Sequence, residues 1–313
     1  MEVVSRRELL AVAGGALAAS AAAPAPNPKI CIFSKHLVWL SVPDASQLAA
    51  EIGFDGIDLA VRDGGHVEPG RVVQDLPGAV ETIRKAGLEV PMITSGIVTA
   101  RSRYAAEVLR TMSSLGIRHY RWGGFPLDAH KPIPAQIDED RGAVRDLAEL
   151  NRSFGVCAMY HTHSGPGVLG ASIWDLYLVL KDFDPNSVAV NFDVAHATVE
   201  GGLGGWRNSA SLMAPYMRGI ALKDFYWEKS DGVWQPRWCP LGEGMVNFAE
   251  YFQFLKTSRF SGPIQLHFEY PEMGGADQGR RSISISRAEF ARMARRDLER
   301  ARELMRQAGL SRA

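Results

Sequence analysis

The chain is poor in cysteine, balanced in charge and, past its N-terminus, without a long apolar run. Three cysteines in 313 residues are too few for a disulfide framework, and no Cys-x-x-Cys pair offers a redox dithiol or a structural zinc site. Cys31 and Cys157 lie in apolar strand-like runs and read as buried hydrophobes, while Cys239 sits in a Trp-Cys-Pro segment; a single disulfide stays open. Lys plus Arg and Asp plus Glu each number 35, so the formal net charge is zero. That balance lacks the basic footprint of a nucleic-acid-binding protein and gives no reason for an anionic membrane partner. No Walker pattern and no glycine fingerprint after the first strand-like run mark a nucleotide site.

The N-terminus reads as an address. Ser5-Arg6-Arg7-Glu8-Leu9-Leu10 leads into an alanine-rich apolar stretch that ends before Pro24. A charged start, a short apolar stretch and small residues describe a secretory signal, and the paired arginines fit the twin-arginine type. Residues 1–26 are therefore expected to be removed during export by the twin-arginine machinery. That leaves a periplasmic protein of residues 27–313 with no stable membrane insertion. An uncleaved N-terminal anchor is the alternative.

The rest of the chain repeats strand, loop and helix. Strands are expected over 29–34, 56–60, 89–94, 119–122, 156–161, 188–193, 219–223 and 264–269. Helical patterns cover 44–52, 79–86, 139–154, 246–260 and about 287–307, the first four ending at or near Gly53, Gly87, Gly155 and Gly262. Near-continuous apolar strands such as Val188-Ala-Val-Asn-Phe are those of a parallel sheet covered on both faces. Eight units of roughly 35 residues predict a single (β/α)8 TIM barrel rather than a doubly wound sheet. Gly201-Gly202-Leu-Gly204-Gly205, after the sixth strand, reads as a tight or mobile loop near the site.

Three strands end in ligand-type residues: His161-Thr-His163, Asp193-Val-Ala-His196 and His267-Phe-Glu269. In a parallel α/β protein the C-terminal strand ends are where chemistry is placed. Residues two apart face the same way, so His161 joins His163, and His267 joins Glu269. Imidazoles with carboxylates suit a first-row divalent metal (Mn, Zn, Co or Fe). Lys223, ending strand seven, either holds a substrate oxygen or proton, or pairs with Asp193 or Glu269. Lys35, His36, Arg62, His66 and Arg121 line the earlier strand ends, and with Trp122, Trp227 and Trp234 they point to a sugar-like ligand. Trp227 to Trp234 reads as a hairpin-like excursion over the mouth.

From about Ile30 to Tyr270 the chain resembles the sugar phosphate isomerase/epimerase superfamily, the xylose isomerase-like TIM barrels. The resemblance is carried by Gly53-Phe-Asp-Gly-Ile-Asp-Leu59, Tyr160-His-Thr-His163, Phe192-Asp-Val-Ala-His196, Leu222-Lys-Asp224, Pro240-Leu-Gly-Glu-Gly244 and Gly262-Pro-Ile-Gln-Leu-His267. It implies a divalent metal on four strand-end residues, usually Glu, Asp, His and Glu. Here those positions hold His161, Asp193, Ala221 and His267, with His196 as the accessory histidine. The resemblance thus implies either a metal on His161, Asp193 and His267, helped by His163 or Glu269, or a branch without metal. The usual paired-glutamate proton shuttle is missing.

The expectation is an exported enzyme acting on a non-phosphorylated sugar, keto-sugar or cyclitol by metal-assisted proton transfer next to a carbonyl. Glu269, His163, Lys223 and His196 are its catalytic candidates. The alternatives are a 3-keto-sugar lyase or hydratase on the same barrel, or a non-catalytic carbohydrate-binding protein. A nuclease reading lacks the basic groove it would need. The oligomeric state is left open.

Overall fold

The computed structural model describes residues 28–310, so the expected signal segment, 1–26, lies outside the described residues. Eight parallel strands close into a barrel. They are β1 (Ile30–Phe33), β2 (Gly56–Val61), β3 (Met92–Ser95), β4 (His119–Trp122), β5 (Cys157–His161), β6 (Val188–Asp193), β7 (Met217–Leu222) and, after a two-stranded insertion, β10 (Ile264–Leu266). Each pairs with its neighbour in sequence, and β10 closes the ring against β1. β2 and β6 are buried along their whole length, as parallel strands flanked by helices must be.

The outer ring is α1 (Val42–Ile52), α2 (Val72–Lys85), α3 (Ala105–Ser114), α4 (Ile133–Phe154), α5 (Ile173–Leu180), α6 (Val194–Met213), α7 (Phe248–Thr257) and α8 (Arg287–Ala308). Local chemistry sets several of their ends. Ser41 and Ser286 accept hydrogen bonds from the backbone N–H of Asp44 and Glu289, capping α1 and α8. Gly53, Gly155 and Gly309 stop α1, α4 and α8 in the left-handed region. α2 begins seven residues before the expected Ala79 and carries Pro77 inside it, a residue that normally argues against a helix interior.

Two expectations change. The glycine-rich stretch after β6 is not a loop but part of α6, which is kinked at Gly202 (φ 60°, ψ −160°). That conformation is essentially open to glycine alone, so the glycines permit a bend within a helix. The disulfide left open by sequence is absent: Cys31, Cys157 and Cys239 are all free and buried.

The hairpin expected over the mouth is present as β8 (Asp224–Ser230) and β9 (Val233–Cys239), antiparallel, inserted between β7 and α7. Its base is fixed by Asp224, whose carboxylate accepts hydrogen bonds from the N–H groups of Phe225, Gly242, Gly244 and Val246. A Cβ on Gly244 would stand 2.3 Å from Asp224 Oδ1, so this turn requires glycine. Among the described residues no helix is long and apolar enough to cross a membrane.

Candidate active site

The C-terminal ends of β5, β6, β7 and β10 bring together His161, Asp193, Lys223, His267 and Glu269, with His163 and His196 beside them. The barrel register explains the gathering. Asp193 pairs with Ala221 across β6 and β7, so the position that usually holds a ligand carries only a methyl group. Lys223, two residues on and on the same face, fills the space: its Nζ lies 3.3 Å from Asp193 Oδ2 and 2.6 Å from both Glu269 Oε2 and His196 Nε2. Lys223 is thus paired with both carboxylates, where the sequence left open a pairing with either one or a role toward substrate.

Asp193 has two duties. Its Oδ1 accepts from the N–H groups of Ala195 and His196 and caps α6, which turns His196 back over the site. Its Oδ2 faces Lys223 at charge-pairing distance without a well-directed hydrogen bond. His161 Nε2 lies 3.7 Å from this same oxygen. Both ring nitrogens of His267 are buried without a hydrogen-bond partner.

The other two imidazoles are committed. His163 Nδ1 donates to the carbonyl of His161 at 3.0 Å, and its Nε2 accepts from Arg121 Nη2 at 3.1 Å. His196 stands between Ser164 Oγ, 2.7 Å from Nδ1, and Lys223 Nζ. Because the ammonium donates to Nε2, His196 carries its proton on Nδ1 and donates it to Ser164.

Burial, reinforced by Arg121 and Lys223, pushes the pKa of His161 and His196 well below the ordinary imidazole value, and that of His163 down to about 3. Burial likewise lowers His267, with Glu269 opposing it and Lys223 adding to it. All four are neutral at neutral pH, the state in which imidazole ligates metal. Burial raises Asp193, with Lys223 opposing it. Burial alone would also raise Glu269, but the ammonium groups of Lys223 and Lys35 outweigh it and hold this carboxyl well below the usual range.

His161, Asp193 and His267 each present a ligand atom, all within 4.8 Å of one another. A second trio, His161, His163 and His196, is equally close, but it would have to displace Arg121 and Lys223. The orphaned atoms of Asp193 and His267 select the first trio, so the residues fit a divalent cation there. Asn191 supports it. Its amide nitrogen, which also donates to Gln265 Oε1, lies 3.0 Å from His161 Nδ1 and holds that ring in orientation.

The remaining residues expected to bind substrate divide. Lys35 Nζ is 3.5 Å from Glu269 Oε1, within the cluster. Arg62 and Arg121 lie over the Phe33 ring, whose centroid is 5.2 Å from that of His267. His36 does not face the mouth as a substrate ligand: its Nδ1 donates to the Ala276 carbonyl and its Nε2 accepts from Phe268 N–H, both buried. His66 sits by the carbonyls of Leu37 and Leu40, away from the cluster. Trp227 packs edge-on against Phe225 further out on the hairpin, and Trp122 is buried against Phe125 and Tyr160.

The tryptophan that reaches the site is Trp238, paired across the hairpin with Phe225. Lys223 Nζ stands 4.4 Å from its ring centroid, and His196 packs edge-on against it at 5.1 Å. Trp238, Ser164 and Asn191 are site residues that sequence reading missed. The period of the hairpin, counted from its base, was the available signal for Trp238.

A closed parallel barrel with imidazoles, carboxylates and a lysine at its C-terminal mouth has the layout of a TIM-barrel enzyme. Residues 46–292, well over half of the chain, match the family described as the xylose isomerase-like TIM barrel, and the protein belongs to that family. A 132-residue stretch is 24% identical to an uncharacterised protein of Methanocaldococcus jannaschii, covering 42% of this chain and only 43% of that relative's length. The fold is similar to that of the 3-keto-D-glucoside 4-epimerase of E. coli (TM-score 0.62, 13% identity, 88% of this chain and 99% of that one). It is also similar to a xylose isomerase-like TIM barrel protein of Mycobacterium smegmatis in complex with magnesium (TM-score 0.61, 14% identity, 86% and 97%).

Proposed function

We propose that this protein is an enzyme of the sugar isomerase or epimerase type that moves a proton next to the carbonyl of a non-phosphorylated sugar, keto-sugar or cyclitol. One observation carries the reading. Glu269 is the carboxylate of the cluster that reaches the mouth, with 24% of its side chain exposed against none of Asp193. It stands between the ammonium groups of Lys35 and Lys223 and beside the orphaned ligand atoms of Asp193 and His267. Family membership and the fold shared with a keto-sugar epimerase support the same class of chemistry.

Under this reading His161, Asp193 and His267 hold a divalent metal, which when bound stabilises negative charge on a carbonyl or enediolate oxygen. Glu269 takes and returns the proton at the adjacent carbon. Lys223 fixes Glu269 Oε2 and leaves Oε1 toward the mouth, while Lys35 stands ready to hydrogen-bond a hydroxyl or the same oxygen. Trp238 supplies an apolar wall over Lys223 and His196, excluding water from that side. The N-terminal segment with Arg6-Arg7 supports export to the periplasm. Cell fractionation in which Arg6→Lys/Arg7→Lys leaves the distribution unchanged would count against export.

The direct assay is turnover of a panel of unphosphorylated aldoses, ketoses and keto-glycosides by the purified protein. Activity on one member that disappears with Asp193→Ala, and with chelator, is the expected result. Full activity in Asp193→Ala would sink the assignment of this site.

A further inference from the structure

We propose that the substrate carries a carboxylate, seated on the paired guanidinium groups of Arg62 and Arg121 at the mouths of β2 and β4. The inference rests on the sugar-enzyme reading above and names the class of sugar. Both groups lie over the same aromatic ring, 5.4 and 5.7 Å from the centroid of Phe33. Among the described residues, neither forms an ion pair or a hydrogen bond with any carboxylate. The one polar side-chain partner of Arg121 is His163 Nε2, a neutral acceptor. Arg62 has no side-chain hydrogen bond or ion pair among the described residues, only the Phe33 ring beneath it.

Two of the acids nearby are already engaged: Glu269 is paired with Lys35 and Lys223, and Asp193 with Lys223. Asp58 accepts from Thr94 Oγ1 at 2.7 Å and from Gln265 through Oδ2, while its Oδ1 has no hydrogen-bond partner and feels both guanidinium charges. Lys35, Lys223, Arg62 and Arg121 thus stand against Asp58, Asp193 and Glu269, and the balance of charge there is positive. Burial first, and then the neighbouring Arg62, depress Arg121 to about 10, with Asp58, Glu269 and Asp193 opposing.

Space is available beside Arg62. A cavity of about 490 Å³ opens from it along Gly96, Ile97 and Tyr104, with Arg103 and the acidic Asp63 also in its lining. Guanidinium forks match the planar geometry of a carboxylate through paired hydrogen bonds, whereas a neutral hydroxyl would leave the charges unanswered. The Arg121–His163 contact ties this seat to the proton-transfer cluster, so the acid end and the reacting end of one sugar would be held on opposite sides of the mouth.

The test is binding by isothermal titration calorimetry of glucose, galactose and mannose against their uronates, with glucose 6-phosphate and malonate alongside. At least one uronate is expected to bind roughly ten- to a hundredfold more tightly than its neutral parent, with the ratio shrinking as salt is added. In Arg62→Gln the ratio falls toward one, and Arg62→Lys, which keeps the charge without the fork, restores part of it. The salt dependence of the unaltered protein tests the seat even if a variant folds poorly. Neutral sugars binding as well as their uronates, or a preference that survives in folded Arg62→Gln, overturns the seat and leaves the sugar reading standing. Glucose 6-phosphate binding more tightly than every uronate overturns the carboxylate in favour of phosphate. Malonate binding with no sugar binding keeps the seat and defeats the sugar reading, and no binding by any probe defeats both.

Discussion

Replacing Lys223 with methionine should do more damage than replacing either of the carboxylates it joins. Its ammonium is 97% or more buried, 2.6 Å from Glu269 Oε2 and 3.3 Å from Asp193 Oδ2. At an effective dielectric of about 20, Coulomb's law gives gross attractions of about 6 and about 5 kcal/mol. Most of that gain is offset by desolvation, so the net figure comes from the consequence of breaking a buried pair, about 3–5 kcal/mol. Lys223→Met leaves two carboxylates facing one another with only Lys35 nearby, and it also takes the donor from His196 Nε2. Glu269→Gln leaves Lys223 still paired with Asp193 and still able to donate to the amide oxygen, so it should cost only about 1–2 kcal/mol. The double variant should be less destabilised than the sum of the two by about 1–3 kcal/mol. Urea unfolding followed by circular dichroism at pH 7.5 measures all three. Additive effects within about 0.5 kcal/mol, or a Lys223→Met protein as stable as the parent, would refute the picture of Lys223 as the cation that binds the two acids together.

Acid should weaken the metal-free protein through its buried imidazoles, against the opposing proton uptake of buried carboxyls such as Asp58, pushed up to about 7. Burial, reinforced by the charge of Lys35, holds His36 at about 3, below its ordinary value, and protonation would also take the acceptor from Phe268 N–H. The contribution is fully present above about pH 6.5 and is lost as pH falls toward about 3, amounting to about 2 kcal/mol by about pH 5. Urea midpoints at pH 7.5 and pH 5 should therefore differ, and they should differ less in His36→Asn; equal differences in both proteins would contradict this. In calorimetric titration with Mn²⁺ or Zn²⁺, one ion per chain is expected, with affinity reduced about 10-fold or more in His267→Ala. Tight binding that is unaffected by His267→Ala and Asp193→Asn would place the metal elsewhere.

Strand-end chemistry was legible because parallel strands impose it. Once His161, Asp193 and His267 ended apolar runs, the barrel alone brought them to one face. The role of Lys223 was half visible, since i and i+2 parity placed it beside Asp193 but could not choose between pairing and catalysis. Ser164 was not visible: it lies in the loop after β5, and only the first turn of α6 brings His196 back to it. His36 was misjudged because a histidine after a strand looks the same in sequence whether it faces the mouth or, as here, ties the backbone of Ala276 and Phe268 beneath it. The glycines after β6 misled for a related reason. Glycine marks conformational freedom, and at Gly202 that freedom is spent on a kink inside a helix.

The central claim is that Glu269 moves a proton on carbon at this mouth. It is tested most directly by incubating the metal-loaded protein with candidate keto-sugars in heavy water and following the ligand by NMR. Deuterium is expected at the carbon beside the carbonyl with the parent protein, with at least about 100-fold slower incorporation in Glu269→Gln. A sugar that binds saturably but never exchanges, or exchange that is undiminished in Glu269→Gln, would contradict it.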